Sequence, residues 1–199
     1  MDAARAEALL DFLALADRLK TVERRGRVPL PGGSTRRENS AEHCWTLALI
    51  ALLLHREVAR EIDLARALSM IAVHDLVEIE AGDTYAYDPA ACATQAEREA
   101  AAAGVVFGAL PPDLGARLRA LWEEFEAGES AEARFAMGCD RMQGFLQNVL
   151  SDGQGWKEHG VRRADTRPRM DPARAVDPAF ERLIGALYAR AADGGMLPE

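Results

Sequence analysis

A chain of 199 residues, 49% hydrophobic and 28% charged, has the size and composition of one soluble globular domain. Its net charge of −8 excludes a general binder of nucleic-acid backbone, which needs a basic surface, but leaves room for a small anionic substrate if a few arginines converge on one cleft. The three cysteines, Cys44, Cys92 and Cys139, are odd in number and form no CxxC pair, which excludes a disulfide framework and points to a reducing cytoplasm.

Helical periodicity dominates along the chain, and no convincing alternating strand stands out. Residues 3–24 predict an amphipathic helix with Leu9, Phe12, Leu13, Ala16 and Leu19 on one face. Its acids, and the lack of a basic start before a long apolar core, do not make a signal peptide. "GRVPLPGGSTRREN" (26–39) reads as an arginine-bearing loop. Asn39 and Ser40 start a second helix, with Asn39 and Glu42 at capping-box spacing, and the helix is expected to run to about residue 60. Its apolar run "CWTLALIALLL" (44–54) is too short to cross a bilayer and reads as a core helix. Asp63 caps a third helix ending near Gly82, and "DTYAYDPAA" forms the next loop. Helices follow at roughly 93–109, 112–127 and 130–150, then a tail richer in Gly, Pro and Arg, then a last helix near 178–192. The expected fold class is all-α, a single domain over 1–199.

The third helix poses the chemical question. "HDLVE" (74–78) places three ionisable side chains in an otherwise apolar run. At helical spacing His74, Asp75 and Glu78 fall at about 0°, 100° and 40°, on one side of the helix. Burying such a cluster is costly without a partner. One reading is a structural His–Asp hydrogen-bond pair in the core. The other is a divalent cation, for which imidazole and carboxylate are standard ligands. His43, in the opening turn of the second helix, and Asp140, in the mostly apolar "FAMGCDRMQGFLQNVL", are further unexpected polar groups in core helices. Two His and two Asp from three helices could hold one metal with positions left open. The spacing is not that of HExxH zinc proteases: the i+4 partner of His74 is Glu78, an acid placed to handle protons.

The ordered set "ENSAEH", "HDLVE", "GDT" and a later Asp followed by a basic residue resembles the HD superfamily of metal-dependent phosphohydrolases, in particular its bacterial 5'-deoxynucleotidase branch. The resemblance extends over "RRENSAEHCWTLALIALLL", "LWEEFEAGESAEARFAMGCDRMQGFLQN" and "GQGWKEHGV". It implies an all-helical HD-type bundle, commonly a homodimer, with a metal-binding core over about 39–150 and a helical tail over 151–199. It further implies His43, His74, Asp75 and Asp140 as ligands of one divalent ion (Mn, Co, Zn, Fe or Mg). Glu78 is implied as the proton-transfer group, and Asp83 as a contact of the sugar 3'-hydroxyl. The branch carries an Arg-Trp-Pro segment before its first histidine, whereas this chain reads Arg27-Val28-Pro29 at an offset of one, without the tryptophan.

The expected function is therefore removal of the 5'-phosphate of a nucleoside or deoxynucleoside monophosphate through a metal-activated water. Arg27, Arg36 or Arg37 would hold phosphate oxygens, because a guanidinium donates bidentately to them. The expected partner is a small nucleotide or phosphomonoester, with no nucleic-acid polymer, no membrane and a cytoplasmic setting. Three rivals stand beside it: hydrolysis of another phosphorylated metabolite or a nucleoside triphosphate, an HD-type di-iron oxygenase, and a non-catalytic nucleotide-binding module. Tyr85 and Tyr87 are equally compatible with stacking on a base and with covering their loop. His55 is expected at the surface, His159 in a structural role, and Cys44 and Cys139 as small core residues.

Overall fold

The computed structural model describes residues 1–199. Helix α1 (Ala3–Asp17) is capped by the Asp2 carboxylate, which accepts from the Arg5 amide at 2.8 Å. It is shorter than the periodicity predicts, because the chain tightens into a 3-10 turn at Arg18–Thr21. Phe12 and Leu19 are buried from its predicted apolar face, but Leu13 is 62% exposed.

The stretch expected as a loop is a β-hairpin. Strands β1 (Glu23–Pro29) and β2 (Thr35–Asn39) pair antiparallel, with Arg27 opposite Arg37 and Val28 opposite Arg36, and with an irregular register between Glu23 and Arg27. The turn closes where the Leu30 amide donates to the Ser34 carbonyl at 2.8 Å. Gly32 and Gly33 both take positive φ there, +87° and +85°, which only glycine adopts without strain. No hydrophobic alternation announces these strands because their inward positions carry charge: Arg24 and Glu38 point to the interior while Glu23, Arg25 and Arg36 stay exposed.

Helix α2 (Ser40–Leu54) begins with the expected capping box: the Glu42 amide donates to Asn39 Oδ1 at 3.0 Å, and Glu42 Oε2 accepts from the Asn39 amide at 3.2 Å. It ends at Leu54, six residues early. Leu47, Ile50, Ala51 and Leu54 are buried, whereas Trp45, Leu49, Leu52 and Leu53 are exposed, so half of the apolar run faces outward. Asp63 caps α3 (Leu64–Val73) as expected. The predicted continuous third helix is instead α3, a 3-10 turn at His74–Val77, and the single turn α4 (Glu78–Ala81), stopped by Gly82 at φ +75°. Then come α5 (Pro89–Ala93), α6 (Gln95–Gly108), α7 (Pro112–Ala127) and α8 (Ala131–Leu150). The tail adds α9 (Gln154–His159) and α10 (Arg163–Arg174), neither of which the sequence reading resolved, before α11 (Pro178–Asp193). The class is all-α with one small hairpin.

Two apolar clusters build the interior. The larger joins α2, α3, α8, α10 and α11 through residues such as Leu47, Ile71, Phe135, Met170, Phe180 and Ile184. A side chain on Gly138 of α8 would stand 2.9 Å from Phe180 Cε1, so glycine sets how closely α8 and α11 approach. The smaller cluster gathers Phe12, Leu19, Val106, Phe107 and Trp122 around Val73, Leu76, Val77 and Ile79. The His74–Ala81 segment thus supplies apolar side chains to the smaller cluster while its polar ones gather beside the larger. No helix is long and apolar enough to cross a membrane.

Candidate metal centre and substrate cleft

The sequence-predicted polar cluster comes together in space. His43 is fully buried in the first turn of α2, and His74, Asp75 and Glu78 are 5%, 8% and 7% exposed. One ligand atom each from His43, His74 and Asp75 lie within 4.8 Å of one another. Asp140 reaches in from α8, its Oδ1 3.0 Å from His43 Nε2, and the two imidazole centroids are 5.7 Å apart.

Hydrogen bonding fixes what the two rings present. His74 Nδ1 lies 2.9 Å from the Ile71 carbonyl, an acceptor only, so Nδ1 carries the proton and Nε2 is bare. That bare nitrogen faces Asp75 Oδ1 at 3.0 Å and has no hydrogen-bond partner. His43 Nδ1 lies 2.6 Å from Gln143 Oε1, and its Nε2 is likewise buried without a partner, opposite Asp140. Two pairs of acceptors thus face each other at 3.0 Å. Protonating the rings would relieve this, but burial lowers both imidazole pKa values, His43 to about 4 with Arg24 adding to the effect. A divalent cation resolves it, since neutral imidazole and carboxylate are its ligands. The cluster fits such a group.

Carboxylates crowd the same place. Burial pushes the Asp75 pKa up to about 7 against the pull of Arg24. Burial, then the neighbouring Asp75, raise that of Glu78 as well. Glu78 Oε2 accepts a 2.6 Å bond from Ser40 Oγ. In front of this group opens a cavity of about 390 Å³, lined by His74, Asp75, Glu78, Asp83 and Asp140, with Glu99 and Glu126 on one wall and Arg24, Arg141 and Arg169 also facing it. A second, smaller cavity shares Arg24, Asp83, Thr84, Arg141 and Arg169 and continues to Tyr85, Tyr87 and Phe145.

The arginines fall differently from the sequence reading. Arg27 is bonded to Glu158 at 2.8 Å, Arg36 to Glu42 at 2.5 Å, and Arg37 stands 3.7 Å from Glu23 and donates to the Arg24 carbonyl. None of the three lines either cavity. Arg24 does, with Nη1 3.1 Å from Asp75, 3.4 Å from Asp83 and 3.7 Å from Glu78. Burial opposes its charge, but Asp75, Glu78 and Asp83 outweigh that and raise its pKa. Arg169 of α10 bonds Asp140 Oδ2 at 3.1 Å. Sequence reasoning missed both. Arg24 was hidden by the undetected strand, where a period of two would have turned it inward. Asp83 lies in the cavity wall, its side chain 9% exposed.

The other two histidines sit apart from the cluster. His55 is half-buried, bonded to the Leu52 carbonyl, and exposed His159 packs at a tilt against Tyr85, with ring centroids 4.7 Å apart. Cys139 is buried and Cys44 half-buried, and all three cysteines are free thiols.

Residues 16–175 match the HD domain family. The chain is 32% identical over 142 residues to the 5'-deoxynucleotidase HDDC2 of Homo sapiens, spanning 71% of this chain and 67% of that one. It is 33% identical over 142 residues to the Bos taurus protein of the same name, with the same coverage. A solved structure of a predicted metal-dependent phosphohydrolase from Magnetospirillum magnetotacticum MS-1 superposes with a TM-score of 0.88 at 40% identity, covering 98% of this chain and 96% of that one. The PH0347 protein of Pyrococcus horikoshii OT3, 19% identical with a TM-score of 0.61 over 92% of this chain and 98% of that one, shares the fold.

Proposed function

The chain belongs to the HD domain family, and we propose that it is a metal-dependent phosphohydrolase that releases the 5'-phosphate of nucleoside or deoxynucleoside monophosphates. The observation that carries this reading is the pair of bare, buried imidazole nitrogens, each 3.0 Å from a carboxylate oxygen, beside an arginine-lined cavity that His74, Asp75 and Asp140 line. The 5'-deoxynucleotidase relatives supply the substrate class.

In this reading His43, His74, Asp75 and Asp140 hold one divalent ion. Such an ion, when bound, lowers the pKa of a water and neutralises phosphate oxygens as charge develops. Arg24 turns its guanidinium toward the same phosphate, a role favoured over Arg27, Arg36 and Arg37 because each of those already has a carboxylate neighbour away from the cavity. Glu78 manages the proton: it stands beside Asp75 with Oε2 held by Ser40 Oγ, and burial favours its protonated form. Asp83 accepts a hydrogen bond from a sugar hydroxyl. A di-iron oxygenase is disfavoured, because His55 and His159 are engaged away from the cluster.

The exposed face of α2, with Trp45 at 69% and Leu53 at 66%, supports a homodimer that covers it, and three free thiols suit the cytoplasm. The test of function is phosphate release from a panel of nucleoside mono-, di- and triphosphates with Mn, Co, Zn, Fe and Mg. Metal-dependent turnover confined to monophosphates is expected; turnover confined to triphosphates, or none with any metal, overturns the reading.

A further inference from the structure

Glu38, from the "ENSAEH" segment, is 3% exposed and has no role in the reaction above. Its Oε1 accepts a 2.7 Å bond from Gln143 Nε2. The Gln143 amide is fully buried, and its Oε1 lies 2.6 Å from His43 Nδ1. On its other side Glu38 Oε2 stands 3.8 Å from Arg24 Nε.

The direction of this chain follows from donor chemistry. An ionised carboxylate only accepts, so Gln143 must turn its NH₂ to Glu38 and its carbonyl to His43. The carbonyl only accepts, so His43 must carry its proton on Nδ1. The opposite tautomer has an attraction of its own: with the proton on Nε2, His43 would donate to Asp140 Oδ1, only 3.0 Å away. Something has to hold the ring against that bond, and an acceptor-only group at the far end of a buried amide does so.

We propose that Glu38 is a positioning residue which, through Gln143, locks His43 in the Nδ1–H tautomer and so keeps the Nε2 lone pair free for a divalent cation. The consequence for metal affinity rests on the phosphohydrolase reading, but the tautomer itself does not. Glutamine at position 38 either donates or accepts, so Glu38→Gln erases the direction of the chain without changing its shape. Exchanging both residues, Glu38→Gln with Gln143→Glu, moves the acceptor-only group next to His43 and restores the direction.

The experiment is nitrogen-15 NMR of the imidazoles in the metal-free full-length protein at neutral pH, paired with Mn²⁺ titration. Wild type is expected to show His43 as Nδ1–H. Glu38→Gln should populate the Nε2–H form and weaken Mn²⁺ binding by about 10- to 100-fold, the usual effect of disturbing a group behind a ligand. The double exchange should regain both the wild-type tautomer and most of the affinity. An Nε2–H tautomer in wild type overturns the proposal, as does a single variant unchanged in both readouts or a double variant no better than the single. Should Glu38→Gln fail to fold, the double variant decides alone: a wild-type tautomer supports the lock and an Nε2–H tautomer overturns it. Failure of wild type to bind metal or turn over nucleotide counts against the proposed function and leaves the tautomer result standing.

Discussion

Two arginines of one hairpin meet carboxylates in opposite settings. Arg36, on β2, pairs with Glu42 across the surface, with side chains 45% and 36% exposed. Arg24, on β1, is 15% exposed and stands among Asp75, Glu78 and Asp83, whose side chains are as enclosed as its own. The outer pair is screened by water and salt, so Arg36 can be replaced at little cost. The inner assembly is a set whose members are each compensated only by the others, so removing one leaves uncompensated charge in a dry place. Burial pushes the Asp75 pKa up to about 7, and neighbouring Asp140 and Asp83 act in the same direction.

The strongest way to break the inner set is His74→Ala. Stoichiometric divalent metal and all phosphate release are expected to be lost together, as measured by metal analysis and turnover; Asp140→Ala should behave alike. If both variants retain stoichiometric metal, the ligand assignment fails. Next comes Glu78→Gln, which keeps size and hydrogen bonding but cannot exchange a proton at neutral pH. It should bind metal normally and lose on the order of 10²- to 10⁴-fold in kcat, the usual worth of general acid–base catalysis. Loss of metal from this variant would make Glu78 a ligand instead.

The comparison itself is sharpened by lysine. Arg24→Lys retains the charge but not the planar fork; it should raise KM for a nucleoside monophosphate and lower kcat, with metal content unchanged. Arg27→Lys, Arg36→Lys and Arg37→Lys should match wild type. Equal damage from the inner and outer exchanges would show that the phosphate is held at the hairpin surface. The smallest effect belongs to the outer pair: Arg36→Ala should alter unfolding free energy by only about 0.5 kcal/mol in urea denaturation.

His43, His74, Asp75, Glu78 and Asp140 were legible in the sequence because an ionisable side chain inside an apolar helix is conspicuous. The structure buries His43, His74, Asp75 and Glu78 and brings Asp140 in beside them. Caps at Asn39 and Asp63 were legible for the same local reason: each needs only its own turn. Arg24 and Glu38 were not, because they sit on strands whose inward positions carry charge, so neither hydrophobic period appears. Their burial is decided by partners 51 to 105 residues away, such as Asp75, Asp83 and Gln143. The break at His74–Val77 was invisible too, since nothing in "HDLV" forbids a continued α-helix. Helix α10 carries Pro168 and Pro172, which read as loop until Met170 and Ala173 are seen packed in the core.

The central claim is that the facing pairs His43–Asp140 and His74–Asp75 are held apart from satisfaction until a cation arrives. The most direct measurement is thermal unfolding of chelator-treated protein during Mn²⁺ titration, with metal content measured on the same samples. The account predicts saturation at one ion per chain and a stabilisation that grows with free metal as a single-site binder requires, about 2.7 kcal/mol at one hundred times Kd. His74→Ala should show neither the stoichiometry nor the shift. A wild-type protein whose unfolding ignores the metal, and which returns from the titration empty, would contradict it.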